Sequence, residues 1–257
     1  FLTDAERKEV LKTGIEVVNG AVPVIAGVSG ASTAVSVELT KNAAELGADA
    51  VMAMPPNGAA GQVVWDHYVA IAETGQLPVW IQNNKPPAGP VVPTNMMVKM
   101  LNEVKHVDYV KEESHLPGQI MTELLEKAGG AVKGLMGGMG GRYLVDEYRR
   151  GSAGTMPAGH ITDAHVKLWN ALDAGGIDSD GLQIVTDEAR TLWERMIPSL
   201  NFEFMFGANA YKATYFRRGI IKTDLTRNPA NKYLDKLDYA ELDTILDRMG
   251  DLLSWKK

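Results

Sequence analysis

The sequence predicts an α/β protein built on a parallel sheet and followed by a helical extension. Three observations carry that expectation. Six short apolar runs alternate with helical patterns in units of roughly 25 residues. The connections between them are short. From Thr162 onward only helical pattern remains. Strands that alternate with helices form parallel sheets, because each helix carries the chain back to the end where the preceding strand began.

Thr3-Asp4-Ala5-Glu6 reads as a capping box, so a helix is expected from about Asp4 to Val18, stopped by Asn19-Gly20. Pro23 to Val28 is a short apolar run suited to a buried strand, and a helix from Thr33 to Leu46 closes at Gly47. Asp49 to Met54 is strand-like and stops at Pro55-Pro56, ahead of a helix from about Val63 to Glu73. Leu77 to Gln82 is the next strand, then a Pro-rich loop and a helix from Thr94 to about Val104. Val107 to Lys111 and Gly118 to Lys127 form the fourth pair, and Ala131 to Met136 and Arg142 to Arg150 the fifth. Ala153 to Met156 is the last strand. Helices are then expected at about Thr162–Ala174, Asp187–Met196, Phe202–Arg217 and Asp238–Leu253, with turns at Gly175-Gly176 and Asp178 to Gly181. Gly219 to Tyr233 lacks periodicity and reads as an ordered loop packed on a neighbouring element.

Two architectures fit this pattern. A doubly wound sheet would usually show a glycine-rich phosphate turn after its first strand, and neither GxGxxG nor GxxxxGK[ST] is found. A (β/α)8 barrel needs eight units, of which six are visible. The chain opens Phe1-Leu2-Thr3-Asp4, without Met, and the reading is that a further N-terminal piece carries the other two.

Composition narrows the function. The 257 residues include no cysteine, and 26 Lys plus Arg against 32 Asp plus Glu leave a charge of −6. A chain of this length buries most of its apolar surface without disulfides or a structural metal. Lack of cysteine removes disulfide scaffolds, Cys-zinc sites, Fe–S clusters and thiol nucleophiles. It also fits a reducing compartment, so a cytoplasmic location is expected. An acidic balance argues against a nucleic-acid partner. No apolar stretch approaches the roughly 18 residues of a membrane span, and no signal-peptide pattern opens the chain.

Lys111 interrupts an apolar strand near its C-terminal end, where active sites form in parallel α/β folds. Apolar neighbours disfavour the ammonium, and the neutral amine can attack a ketone to form a Schiff base. The plainer alternative is a strand-end Lys paired at the surface with Glu112 or Glu113. Gly137-Gly138-Met139-Gly140-Gly141 follows the next strand; its N–H groups could meet an anionic substrate, or it is a tight turn that needs small residues. Pro55 to Gly58 and Asn83 to Gly89 are strand-end loops that read as rims or plain turns. The five His do not form a ligand set and read as helix-surface or loop residues: His160 and His165 are five apart, off one helical face, and His106 and His115 flank a strand. No metal site is expected. Trp65, Tyr68, Trp169, Trp193, Phe202, Phe204 and Phe206 sit at helical spacings and read as packing, and Asp238, Glu241 and Asp243 as a solvated face.

Together these segments resemble the dihydrodipicolinate synthase / N-acetylneuraminate lyase family. Pro23 to Gly27, Glu45 to Ala50 and Pro55-Pro56 look like its third and fourth β/α units. Tyr109-Val110-Lys111-Glu112-Glu113-Ser114 matches the segment with the Schiff-base Lys on strand six, and Gly151 to Met156 the eighth strand. Asn201-Phe202-Glu203, Tyr211-Lys212 and Arg218-Gly219-Ile220 look like its C-terminal helical region. The similarity covers nearly the whole chain in order. It implies a (β/α)8 TIM barrel with a C-terminal helical extension. Residues 1–160 would be a partial barrel holding strands three to eight, and residues 161–257 the last barrel helix and the helical region. Strands one and two, with a Gly-Thr-Thr-Gly-Glu-like loop that holds the 2-oxo acid carboxylate, would precede Phe1. Six strands alone would leave an open sheet with two exposed edges, which invite association.

Departures from the family pattern point to a branch. Where the family usually reads Tyr-Asn-x-Pro on strand five, this chain has Gln82 and Asn83, and Asn57 stands where Tyr commonly follows Pro-Pro. The loop Lys85 to Gly89 lacks the carboxylate-binding Arg of the lysine-pathway synthases. The resemblance therefore implies a class I lyase of 2-keto acids in carbohydrate acid catabolism, a dehydratase or aldolase of a 2-keto-3-deoxy sugar acid. A 4-hydroxy-tetrahydrodipicolinate synthase and a non-catalytic 2-keto acid-binding member are the alternatives. Lys111 and Gln82 would be catalytic, with Gln82 orienting a substrate hydroxyl rather than shuttling protons. Gly137, Gly138 and Met156 would bind substrate. No cofactor is implied, and a homotetramer or homodimer is.

Overall fold

Ala53, Ile81, Val110 and Leu135 come from four successive apolar runs, and all are buried in one row across a parallel sheet. They pack with Ile71, Met97, Met121 and Leu124 of the intervening helices, which is why each run folds as a strand and each periodic stretch as a helix. The computed structural model of the chain describes residues 2–227 and 233–254.

The chain divides into two compact units, Leu2–Met136 and the residues from Gly137 onward. The first holds α1 (Asp4–Val18), β1 (Ile25–Gly27), α2 (Thr33–Leu46), β2 (Ala50–Ala53), α3 (Gln62–Gly75), β3 (Val79–Asn83), α4 (Thr94–Glu103), β4 (Val107–Glu112), α5 (Pro117–Ala128) and β5 (Gly134–Gly137), whose last residue opens the second unit. The second holds α6 (Leu144–Arg149), β6 (Gly154–Thr155), α7 (Thr162–Asp173), α8 (Asp187–Phe206), α9 (Ala208–Arg217) and α10 (Lys236–Met249). The strands run β1 to β6 in sequence order, as a barrel wall does, and the ladders between β1 and β5 are all parallel. Gly137 and β6 are joined by the Met156 N–H donating to the Gly137 carbonyl at 2.9 Å. The doubly wound alternative, which would reorder the strands, does not hold.

The caps follow the sequence. Thr3 and Glu6 form the expected capping box on α1, and Asn19 ends it in the left-handed region. Asp235 and Asp238 make a second box on α10. The α8 boundary departs furthest from expectation. The sequence suggests a break between Met196 and Phe202, but α8 runs through Pro198 and ends at Gly207. Burial of Met196, Leu200 and Phe202 around Pro198 offsets the lost hydrogen bond, whereas Gly207 takes a φ of 53°, which only glycine adopts cheaply. Phe204, expected to pack, is exposed, with the Arg142 guanidinium 4.2 Å from its ring centre. The expected loop from Gly219 to Tyr233 has no helix or strand among its described residues, and residues 228–232 lie outside them. Among the described residues no helix is long and apolar enough to cross a membrane.

Candidate active site

The ladder between β3 and β4 decides where Lys111 points. Val79 pairs with Val107, but Trp80 pairs with Tyr109, so Asp108 is an extra residue in β4. Such a bulge turns every later side chain of its strand to the other face. Val107 therefore stays on the helix-covered face with Val79, whereas Tyr109 and Lys111 share the opposite face with Trp80 and Gln82. The bulged Asp108 is held by Lys133 at 2.8 Å. One layer before Lys111, Trp80 and Tyr109 stack at 4.5 Å. Gly134 makes that stack possible, since a Cβ there would lie 2.9 Å from the Tyr109 ring.

Gln82, Lys111 and Met136 form the next row. Glu113 lies two residues beyond Lys111 and shares its face. Its Oε2 is 3.3 Å from the Lys111 amine and accepts a hydrogen bond from Gln82 Nε2 at 2.7 Å. Asn84 Nδ2 approaches the same oxygen at 3.5 Å. The Lys111 side chain is 12% exposed and that of Glu113 9%. The pairing of Lys111 with Glu113 foreseen as the plain alternative is thus present, but it is secluded rather than a surface pair. The expected purely apolar setting of Lys111 is corrected: a carboxylate and an amide face its amine. The sequence reading named Glu113 only as a surface partner and not as a site residue, although its i+2 spacing from Lys111 on a strand was the available signal.

The opposite face secures this arrangement. Glu112 is fully buried and accepts from Asn83 Nδ2 at 2.7 Å, from the Ser114 N–H at 2.8 Å and from the Ser114 hydroxyl at 2.5 Å. Asn83 Oδ1 in turn accepts the Val92 N–H at 2.8 Å, and the Glu113 N–H donates to the Asn83 carbonyl at 2.7 Å. Burial pushes the Glu112 carboxyl above its ordinary value, and the Ser114 and Asn83 hydrogen bonds pull it back. The ends of β3 and β4 are therefore tied by side chains on both faces. The first unit's apolar-walled pocket of about 750 Å³ lies elsewhere, between α1, β1 and α2, lined by Leu11, Ile25, Val28 and Leu39, and holds no candidate residue.

Gly137, Gly138 and Met156 fall in the second unit, where the Gly137 carbonyl and the Met156 N–H bond to each other. The turn after β5 is built on backbone conformations that need glycine. Met139, Gly140 and Gly141 take successive φ values of 52°, 72° and 81°. A Cβ on Gly137 would fall 1.9 Å from Glu147 Oε2, and one on Gly140 would fall 2.0 Å from Glu203 Oε1. The His residues expected at a surface or in loops are corrected here. His160 and His165 are 1% and 6% exposed, and His67 of the first unit is fully buried. No group of three His, Asp or Glu suited to hold a metal occurs among the described residues.

The family model of the dihydrodipicolinate synthetase family matches residues 1–142. Over 99% of this chain, and 81% of its own length, an L-2-keto-3-deoxyarabonate dehydratase of Azospirillum brasilense is 29% identical. A 4-hydroxy-tetrahydrodipicolinate synthase of Clostridium perfringens is 36% identical, over 44% of this chain and 39% of its own. Among solved structures, a candidate dihydrodipicolinate synthetase from Pseudomonas aeruginosa superposes with a TM-score of 0.84 at 28% identity, covering 96% of this chain and 82% of that one. A dihydrodipicolinate synthase from Rhodopseudomonas palustris superposes at 0.83 and 23% identity, over 96% of this chain and 81% of that one, a likeness of fold.

Proposed function

The chain belongs to the dihydrodipicolinate synthetase family and is a lyase, and from that premise we propose that it dehydrates a 2-keto-3-deoxy sugar acid through a Schiff base on Lys111. The observation that carries the reading is the Lys111–Glu113–Gln82 group at the ends of β3 and β4, on the face that the helices leave uncovered. A neutral Lys111 amine adds to the C2 ketone, and loss of water gives the imine. The protonated imine is an electron sink, so a C3 proton becomes acidic. Its removal leaves an enamine whose electrons expel the C4 hydroxyl as that oxygen takes up a proton. Hydrolysis then returns the amine and the product.

Two of these steps need a proton acceptor and donor near the Lys111 amine. Glu113 answers that need: held 3.3 Å from the amine, its carboxylate can take the C3 proton from the protonated imine and then give it to the departing hydroxyl. Gln82 has no titrating proton, but its amide fixes the Glu113 carboxylate through the 2.7 Å bond. This division of labour replaces the Tyr that Gln82 displaces in the family pattern. Gly137, Gly138 and Met156 keep the substrate-binding role that the resemblance assigns them. The A. brasilense dehydratase, similar over nearly the whole chain, supports the same branch.

The test is a substrate panel of 2-keto-3-deoxy pentonates and hexonates against pyruvate plus aspartate semialdehyde. Dehydration of a sugar acid is expected. Efficient condensation with the semialdehyde and no turnover of any sugar acid would restore the synthase reading, which the C. perfringens relative otherwise favours.

A further inference from the structure

Beneath the Gly137–Gly141 turn lies a layer of buried ionisable groups that the Lys111 chemistry does not use. Glu203 of α8 is 5% exposed, and its Oε1 occupies the space a Gly140 side chain would need. Its Oε2 is 3.2 Å from His160 Nε2. His165 of α7 presents Nε2 to the Gly140 carbonyl at 2.8 Å and Nδ1 to the Ile161 carbonyl at 3.2 Å. Both carbonyls can only accept, and a neutral imidazole has one N–H to donate. A Cβ on Gly141 would lie 3.0 Å from that same Nε2. Gly140 is thus met from α7 by an imidazole at its carbonyl and from α8 by a carboxyl packed against its Cα.

We propose that Glu203 and His165 are positioning residues that fix the Gly138–Gly141 turn, and through it the recognition of the 2-keto acid. The inference rests on the substrate-binding role of Gly137 and Gly138 proposed above. Glu203 acts by filling the space under Gly140 and through its contact with His160. His165 acts by donating from Nε2 to the Gly140 carbonyl, which orients that peptide. The charged groups around this pair are Arg142 from the turn, Arg218 after α9, Asp163 on α7, and His160 itself, with Tyr211 of α9 against the His160 ring. Burial pushes the Glu203 carboxyl up to about 7, against the pull of Arg142, and pushes the His165 imidazole down. Near neutral pH, therefore, the charge under Gly140 changes while the His165 ring stays neutral and keeps a single N–H for the turn.

The experiment uses the whole chain and pyruvate as probe, with borohydride reduction locating the adduct. Compared with wild type are Glu203→Gln, Glu203→Ala and His165→Phe. The readouts are the pyruvate concentration that half-saturates trapping at Lys111 and amide hydrogen exchange of the turn. Glu203→Ala and His165→Phe are expected to raise the half-saturating concentration on the order of tenfold, since small misplacements of a binding element cost that much, and to speed exchange at Gly138–Gly141. Glu203→Gln keeps the shape and should bind pyruvate close to normally, but it should abolish the wild-type inflection near pH 7 in half-saturation. Faster exchange without weaker binding in Glu203→Ala and His165→Phe overturns the proposal, as does an inflection that persists in Glu203→Gln. A wild-type chain that traps no pyruvate overturns the Schiff-base reading itself, and this inference falls with it. Should Glu203→Ala fail to fold, His165→Phe and Glu203→Gln still decide.

Discussion

Glu113 and Glu203 are buried alike, at 7% and 5% exposure, yet they stand in different company. Glu113 faces an ammonium, with a carboxamide donating to the oxygen that faces it. Glu203 has a single imidazole at 3.2 Å, and burial carries its carboxyl up to about 7. Two equally buried carboxyls are thus set apart by the donors that face them. The roles proposed above follow that difference: an acid–base partner for Lys111 and a support for a glycine turn.

The comparison breaks first at Glu113. Glu113→Gln removes the proton carrier and should lower kcat by about 10²- to 10⁴-fold while borohydride trapping with pyruvate persists. A kcat close to wild type would remove Glu113 from the chemistry. Gln82→Leu removes the 2.7 Å donor to Glu113, which costs about 1–3 kcal/mol, so kcat/KM should fall roughly 5- to 150-fold. Steady-state kinetics on a 2-keto-3-deoxy pentonate decides this, and an unchanged kcat/KM would mean that Gln82 fixes nothing.

Asn83→Ala tests the opposite face of the same strand ends. It leaves Glu112 Oε2 and the Val92 N–H without their partner. A loss of about 1–3 kcal/mol of stability is expected, read by denaturant titration.

The smallest effect sharpens the Glu203 side. The Glu203 carboxyl rises in the fold from 4.5 to about 7, so its contribution is present below pH 4.5 and lost as pH rises through about 7. The His160 imidazole falls from 6.5 to about 4, first through burial and then through His165, so its contribution is present above pH 6.5 and lost as pH falls through about 4. In wild type the two trends oppose each other between those limits. Glu203→Gln leaves only the second, and its stability should fall more steeply than wild type between pH 6.5 and 4. Parallel pH–stability curves would deny Glu203 its shift.

Much of the first unit was legible because apolar rows and caps repeat: Thr3 and Glu6, Gly47 and the four-strand row through Val110 are local signals. The aim of Lys111 was not, because it depends on an extra residue at Asp108 that only the pairing with β3 reveals. Strand position singled out Lys111 and the resemblance singled out Gln82, whereas Glu113 was named only as a surface partner for Lys111; that it also meets Gln82 depends on the pairing of β3 with β4. In the second unit, glycine spacing could not tell a plain turn from one seated on carboxyls. Glu203 lies 63 positions from Gly140, and His165 lies 25, so nothing local announced them. The expected gap between Met196 and Phe202 failed for a related reason: burial of Met196, Leu200 and Phe202 carries the helix through Pro198.

The Lys111 amine gives the most direct test of the proposed chemistry. Pyruvate and borohydride, followed by peptide mass mapping, should give one reduced adduct, on Lys111, that disappears in Lys111→Ala. An adduct on another lysine, or trapping undiminished in Lys111→Ala, would contradict it.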